Sequence, residues 1–505
     1  MLARVLALPL LLLLTALAAL SMYVPAAHAL VREEFHIARS FFYGGTLTLI
    51  MLTLLGIALS GRPPRRDPQH QLLSLLGAFV LLPLVMAVPF HEAVRTTSFV
   101  NAYVEMVSCL TTTGTTFFDA PERLSPVLHL WRAQVAWLGG LLMWVAAAAI
   151  MAPMNLGGFE VTASAEPGQG QGRLAQLANA APPRRILRAA SRLAPVYGAL
   201  TLALWVMLLI AGEAPLAGLV HAMSVLSTSG ISAVGGLEYA GAGLPGEALM
   251  FLFMAFALTR LTFSGDTMTT ARRGLGNDPE FRLGLVIVAA VPLLLFLRHW
   301  IGAYEVDEVE NLSAALRALW GGIFTVLSFL STTGFVSAEW ETAQGWSGLE
   351  TPGLILMGLA IVGGGVATTA GGVKLLRVYA LYLNGVREME RLVHPSSVGR
   401  ATVVSRRLRR QGAVVAWIFF MLFALSLALI TVILAALGSD FEHATVLAVA
   451  ALSTTGPLIA VAAEQPVALA ALPEAARLVL CAAMILGRLE MLAIIALLSP
   501  SLWRR

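Results

Sequence analysis

The sequence predicts an all-α polytopic membrane protein: four tandem repeats, each a helix, a short helix, a loop and a second helix, behind two extra N-terminal transmembrane helices. Three observations predict it. Of 505 residues, 58% are hydrophobic and 12% charged, with mean hydropathy +0.80; a soluble domain carries about twice that charged fraction. Many apolar runs exceed the roughly 18 residues needed to cross a bilayer, and none shows the short alternating segments of a membrane barrel. The pattern Leu-[Ser/Thr]-Thr-[Ser/Thr]-Gly recurs four times, always beside a long apolar run.

Apolar segments run over 2–22, 40–60, 72–90, 126–152, 191–212, 246–271, 282–302, 350–384, 412–437 and 470–500. Half-apolar pieces at about 98–111, 217–228, 312–331 and 442–453 are too short or too polar to span comfortably. Each ends in the motif: Leu110–Gly114, Leu226–Gly230, Leu330–Gly334 and Leu452–Gly456. The motif glycines lie 116, 104 and 122 residues apart, a near-constant period that marks a fourfold internal repeat. The chain divides into two N-terminal helices (1–70), repeat one (71–155), a linker with repeat two (156–275), repeat three (276–395) and a linker with repeat four (396–505).

Arginine placement sets the orientation. Arg62, Arg65 and Arg66 precede repeat one; Arg173, Arg184, Arg185 and Arg188 follow it. Arg272, Arg273 and Arg282 follow repeat two; Arg387, Arg391, Arg400, Arg406, Arg407, Arg409 and Arg410 follow repeat three; Arg504 and Arg505 end the chain. In the span order these loops share one side, which is therefore cytoplasmic. The dense run at Arg406–Arg410 reads as a positive-inside anchor, with anionic lipid or a partner subunit as the alternative. The opposite side carries Glu305, Asp307, Glu308, Glu310, Glu339, Glu341, Asp440, Glu442 and Glu464. Such a mouth attracts cations, modestly at physiological salt. Cys109 and Cys481 lie in apolar stretches and read as inert buried thiols, not a disulfide framework.

The motif suits a cation path. A helix that stops within the membrane leaves carbonyls unpaired, which is tolerated where backbone lines a cavity. Four such C-termini present partial negative charge. Serine and threonine add small hydroxyls, and glycine admits φ > 0, so carbonyls can face an axis. A ring of carbonyls replaces the water shell of a monovalent ion. No carboxylate sits within any copy, although a divalent ion would call for one. A single copy would be an ordinary glycine-capped helix end. Four copies, each between two spans, argue for a shared role.

Together with these four copies, other stretches resemble the Trk/Ktr/HKT superfamily of potassium transporters, and within it the bacterial Trk membrane subunits, over nearly the whole chain. They are Trp137 with Gly139-Gly140, Asn277-Asp278-Pro279-Glu280-Phe281, Arg391-Leu392-Val393-His394-Pro395, Gly487-Arg488-Leu489-Glu490 and Pro500-Ser501-Leu502-Trp503-Arg504. The resemblance implies four helix–pore helix–filter–helix repeats forming a pseudo-tetrameric pore in one chain. It implies a potassium filter built mostly from backbone carbonyls of Thr112, Thr113, Gly114, Thr228, Ser229, Gly230, Thr332, Thr333, Gly334, Thr454, Thr455 and Gly456. It also implies K⁺ as the transported ion with no covalently bound cofactor, a homodimer in the bacterial cytoplasmic membrane, and a cytosolic ring of nucleotide-binding regulatory subunits. Glycine in all four filters goes with potassium preference in this superfamily; a sodium or mixed conductor is the alternative. Met1–Ala29 ends in Ala27-His28-Ala29, which fits a cleaved signal peptide or a retained first helix; the resemblance favours the helix.

Val362–Lys374 reads VGGGVATTAGGVK, with five glycines in thirteen residues, too many for a continuous helix. From the residues alone it is a kink or helix-packing site, or a loop lining a cavity. The resemblance favours an intramembrane gate at Gly363, Gly364, Gly365, Gly371, Gly372 and Lys374, although Val366, Ala367 and Ala370 depart from the usual Gly/Ser-rich pattern. The chain's single lysine is Lys374, and no Gly-Lys-[Ser/Thr] phosphate loop is present. Arg488, inside the last span, either pairs with Glu490 or another acid or, as the resemblance implies, projects into the pathway below the filter. Arg260 and Asp266 are read as a gate contact or a snorkelling end. Glu105 and His443, on short helices, are read chiefly as packing partners. No cluster has metal-site or catalytic-triad character, so an intramembrane enzyme is disfavoured. No feature points to nucleic acid, whereas lipid contact is implied throughout.

Overall fold

The computed structural model describes residues 9–59, 68–118, 120–154, 156, 182–259, 278–302, 312–348, 352–394 and 412–491. Among these every regular element is helical, and eight helices are long and apolar enough to cross a membrane.

The N-terminal part contains α1 (Leu10–Ser21), α2 (Tyr23–Val31) and α3 (Phe35–Leu59). Leu10–Val31 together form one span-length element. Ala29 of the A-x-A pattern is buried beside Ala38 and Val127. Gln134 Nε2 donates to the Ser21 carbonyl at 2.8 Å, and the Tyr23 and Thr46 hydroxyls meet at 2.9 Å. These bonds tie the N-terminal helices to one another and to the first repeat.

Four similar units follow. The first is α4 (Pro68–Val94), α5 (Phe99–Leu110) and α6 (Pro126–Ala146), the last extended by a wider turn at Ala147–Met151. The second is α7 (Pro182–Ile210), α8 (Pro215–Ser227) and α9 (Gly243–Met254). The third is α10 (Pro279–Gly302), α11 (Leu312–Leu330), α12 (Trp340–Ser347), α13 (Gly353–Val362) and α14 (Leu375–Val393). The fourth is α15 (Ala413–Ala436), α16 (Phe441–Leu452) and α17 (Glu474–Leu489).

The packing repeats with the sequence. Each opening helix packs on its own short helix: α4 on α5, α7 on α8, α10 on α11, α15 on α16. Each helix after a motif packs on the next unit's short helix: α6 on α8, α9 on α11, α13 on α16 and α17 back on α5. The fourth contact closes a ring. Close approach depends on glycine at two equivalent places. A Cβ on Gly139 would overlap the Leu110 carbonyl, and one on Gly487 would overlap the Leu452 carbonyl. Leu110 and Leu452 are the first residues of their motifs.

Three expectations shift. The short piece before the third motif is a helix of 19 residues and counts among the eight by length and composition, although it too stops at its motif. The described part of the expected span over 246–271 tightens into a 3₁₀ turn at Ala255–Leu258, after which Thr259 is extended; 260–271 lie outside the described residues. The expected span over 350–384 is broken between Val362 and Leu375. Arg62, Arg65, Arg66, Arg173, Arg260, Asp266, Arg272, Arg273, Asn277, Glu305–Glu310, Pro395, Arg400–Arg410 and Pro500–Arg505 lie outside the described residues.

Candidate functional site

The four motifs share one local geometry. In each, the third residue takes a left-handed conformation: Thr112 (φ 56°), Thr228 (55°), Thr332 (57°) and Thr454 (54°). That conformation usually belongs to glycine. Two backbone bonds close each helix in the Schellman pattern. Thr112 N–H donates to Cys109 at 2.9 Å and Thr113 N–H to Ser108 at 2.8 Å; Thr332 donates to Phe329 at 3.1 Å and Thr333 to Ser328 at 2.9 Å. Thr228 and Ser229 donate to Val225 and Ser224, and Thr454 and Thr455 to Ala451 and Ala450, in the same way.

The hydroxyl pattern follows from this turn. The first and third motif hydroxyls bond each other in every copy: Thr111–Thr113 at 2.8 Å, Ser227–Ser229 at 3.0 Å, Ser331–Thr333 at 2.9 Å and Ser453–Thr455 at 3.1 Å. Either serine or threonine makes that pair, which explains the tolerance at these positions. The second hydroxyl is different. The Oγ1 atoms of Thr112 and Thr454 are buried without a partner, that of Thr228 meets the Ser227 carbonyl, and that of Thr332 accepts a bond from outside its own unit.

The motif loops meet around one ring. A Cβ on Gly114 would overlap the Ser229 carbonyl, one on Gly230 would overlap the Thr333 carbonyl and press on Pro457, and one on Gly334 would press on Pro457. Gly456 N–H donates to the Thr113 carbonyl at 2.6 Å and joins the fourth loop to the first. Gly114, Gly230 and Gly334 have positive φ (78°, 64° and 85°). Gly456 does not share it, so its need for glycine is close approach: a Cβ would run into Thr113 and Thr115.

Behind the ring, the residue nine places before the motif glycine braces the descending loop in the first three units. Glu105 accepts from Phe117 N–H at 3.1 Å and pairs with Arg132 at 2.7 Å, both side chains buried. His221 Nε2 bonds Ser232 Oγ at 3.0 Å. Thr325 Oγ1 accepts from Ser337 N–H at 3.3 Å, and Glu247 takes Ala338 N–H (2.7 Å), Ser337 Oγ (2.7 Å) and Trp320 Nε1 (2.8 Å). The fourth copy has apolar Leu447 there. Repeat alignment finds this position; motif reading alone passes over it. His443, on the outer turn of α16, is half-buried.

Below the ring lies the glycine-rich loop. Its neck is clasped by Val373 N–H to Ile361, Lys374 N–H to Val362 and Leu375 N–H to Gly364, at 2.8–2.9 Å. Gly363 (φ 72°) and Gly372 (φ 74°) lie back to back, where neither has room for a Cβ. Gly365 N–H donates to Ala257 at 2.9 Å, and a Cβ on Gly364 would also meet that carbonyl. Val366 is fully buried with Leu376, Ala380 and Ala416. The loop tip reaches the motifs: Gly371 N–H donates to Thr332 Oγ1 at 2.7 Å, and Thr369 Oγ1 donates to the Leu226 carbonyl at 3.2 Å. Gly371 also abuts the Ser453 carbonyl and Thr454 Oγ1.

Charged side chains hold this arrangement. Arg488 Nη1 donates to the Thr369 carbonyl, and Lys374 Nζ to that of Ala370. Glu490 pairs with Arg377 at 2.6 Å, not with Arg488. The helical geometry explains this. Glu490 follows the last residue of α17 with φ 61°, outside the helical conformation. Lys374, Arg488 and Glu490 line one small cavity with Thr368, Gly372 and Met151.

A family model described as TrkH, cation transport protein, matches residues 274–505. The chain is 30% identical over 436 residues to the Trk system potassium uptake protein TrkI of Halomonas elongata, covering 85% of this chain and 82% of that protein. The chain belongs to the Trk family. The Trk system potassium uptake protein TrkH of the same organism is 29% identical over 440 residues, covering 86% of this chain and 84% of that one. A crystal structure of the potassium transporter TrkH from Vibrio parahaemolyticus superposes on the whole of both chains with a TM-score of 0.80 at 25% identity. The ring of four motif loops thus lies within a Trk-family fold along the chain's full length.

Proposed function

We propose that this chain is the potassium-translocating, channel-like subunit of a Trk-type uptake system in the bacterial cytoplasmic membrane. The observation that carries the reading is the closed ring of four motif loops, each held at a helix C-terminus by the same turn. Four helix ends add partial negative charge at one place, and carbonyls around a ring substitute for the hydration shell of a monovalent cation. We read Thr112–Gly114, Thr228–Gly230, Thr332–Gly334 and Thr454–Gly456 as the filter. The bond from Gly456 engages one lone pair of the Thr113 carbonyl and leaves the second for an ion.

The loop at 363–374 is the gate in this reading. Its tip bonds to motif residues of repeats two and three and touches repeat four, so it underlies the ring. Arg488 serves as its latch through Thr369 and adds a positive barrier to cations below the filter. The domain division stated from the sequence follows the same repeats. K⁺ is cargo, and the chain acts by binding and passing it, without a covalent step. A homodimer and a cytosolic ring of nucleotide-binding regulatory subunits complete the proposed system.

The test is rubidium or potassium uptake into proteoliposomes, with sodium as competitor, beside a Gly334→Ser variant. Potassium-selective flux that loses selectivity in the variant supports the reading. Flux indifferent to cation identity, or none with or without candidate regulatory subunits, overturns it.

A further inference from the structure

Glu247 is a buried acid whose hydrogen-bond partners all lie in another repeat. It sits in α9, an otherwise apolar helix of repeat two, and is 3% exposed. Glu105 and Glu490 each pair with a buried arginine. Among the described residues no arginine or lysine forms an ion pair with Glu247. Three donors of repeat three satisfy it instead. Ala338 N–H donates to Oε1 at 2.7 Å, and Ser337 Oγ (2.7 Å) and Trp320 Nε1 (2.8 Å) donate to Oε2. Ser337 and Ala338 follow Gly334 by three and four residues, so the acid grips the segment that leaves the third motif. It does so at the seam where α9 packs on α11. Repeat four reaches repeat one across the equivalent seam with a cation: Arg477 bonds Asn101 Oδ1 at 2.5 Å and lies over the Phe117 ring, 5.6 Å from its centroid.

We infer that Glu247 is a specificity-determining positioning residue: its charge, acting from repeat two, holds the third motif loop in the geometry that favours potassium or rubidium over sodium. The inference rests on the proposed reading of the ring as an ion path. An ionisable side chain in a membrane-embedded helix is costly and is kept where it has a task. A carboxylate only accepts, so it takes all three donors at once. An amide of the same shape turns its nitrogen toward a donor whichever way it is flipped. Bonds to a charged acceptor are also roughly twice as strong as neutral ones. The repeat's own brace, Thr325, supplies one neutral bond at 3.3 Å, so Glu247 carries the greater part of the loop's support. Discrimination between monovalent ions depends on the spacing and field of the carbonyls. A loosely held loop therefore loses affinity and selectivity before it loses passage.

The experiment measures uptake into proteoliposomes against rubidium concentration, with and without sodium. The full chain is compared with Glu247→Gln and with Glu247→Gln plus Trp320→Phe, which takes away the indole N–H that the amide nitrogen would face. Glu247→Gln should raise the half-saturating rubidium concentration about fivefold, the difference between a charged and a neutral hydrogen bond. It should also weaken the preference over sodium, at a maximal rate close to the parent's. The double variant should stay there, because the charge is still missing. Ser337→Ala, which keeps the charge and removes one donor, should shift both quantities in the same direction by less. Parental half-saturation and selectivity in Glu247→Gln overturn the inference and leave the ring reading intact. A maximal rate that falls alone, the mark of a merely structural role, also overturns it, as does a double variant that recovers the parent's values. If Glu247→Gln does not assemble, Ser337→Ala decides, and an unshifted half-saturation there overturns the inference. A parent chain without flux selective for rubidium over sodium overturns both.

Discussion

Arg377 and Glu490 form a buried ion pair at 2.6 Å across 113 residues, joining the start of α14 to the break in α17. The Arg377 guanidinium also lies over the Phe419 ring, 3.7 Å from its centroid, and bonds the Val373 carbonyl at 3.1 Å. The pair thus ties the far side of the loop's neck to the last helix and to α15. Removing one member leaves a buried charge uncompensated, a loss of about 3–5 kcal/mol, whereas removing both is often far milder. Arg377→Met is expected to lower the melting temperature in detergent sharply, and Arg377→Met with Glu490→Leu to recover much of it. Fluorescence-detected gel filtration after heating reads both.

Glu105 braces the first motif loop through Phe117 and is held by Arg132. The equivalent brace in repeat three is a neutral bond from Ser337 to Thr325. Hydrogen bonds to charged groups are worth about 1.5–3 kcal/mol against 0.5–1.5 for neutral ones. Glu105→Gln is therefore expected to weaken discrimination against sodium more than Thr325→Val does. Sodium competition in rubidium uptake separates the two; an equal effect would mean that the braces are interchangeable.

Much of this fold was legible in the sequence because each unit repeats its instructions. Apolar length located most of the spans, and four copies of one pentapeptide marked where short helices stop. What escaped was the division of labour inside the pentapeptide. Glycine was expected to carry the left-handed backbone, but threonine carries it in all four copies and glycine in three. Propensity assigns such turns to glycine, and only the backbone angles place threonine in them. Arg377 escaped because a charge just inside a helix after a loop resembles an interfacial anchor until its partner, 113 residues away, is seen. Glu490 was a candidate partner for Arg488 on proximity; the helix break turned it to Arg377.

Close approach at the ring predicts a contrast among glycines. Gly230→Ala and Gly456→Ala both drive a methyl into a neighbouring loop, although only Gly230 has positive φ. Both are expected to abolish selective flux. Gly385, exposed on α14 with open space where a Cβ would go, is the control. Gly385→Ala is expected to leave uptake unchanged and to stabilise by up to about 1 kcal/mol, the helix-propensity difference. Uptake and melting curves on the three variants check this directly.

Val366 accounts for the loop's departure from an all-small composition. Its side chain is fully buried with Leu376, Ala380 and Ala416, so the loop is pinned there as well as bonded to Arg488 through Thr369. Burying a valine is worth about 1.5–3 kcal/mol. Val366→Gly removes that burial and adds backbone freedom, and both effects favour a displaced loop. If the loop gates the path, displacement raises flux without a regulatory subunit by about tenfold for each 1.4 kcal/mol lost from the closed state. The expected result is faster basal rubidium uptake at unchanged selectivity, because the ring above is untouched. Val366→Ala should fall between. Basal uptake that drops, or selectivity that falls with it, would mean that Val366 supports the ring itself and not the loop's closed position.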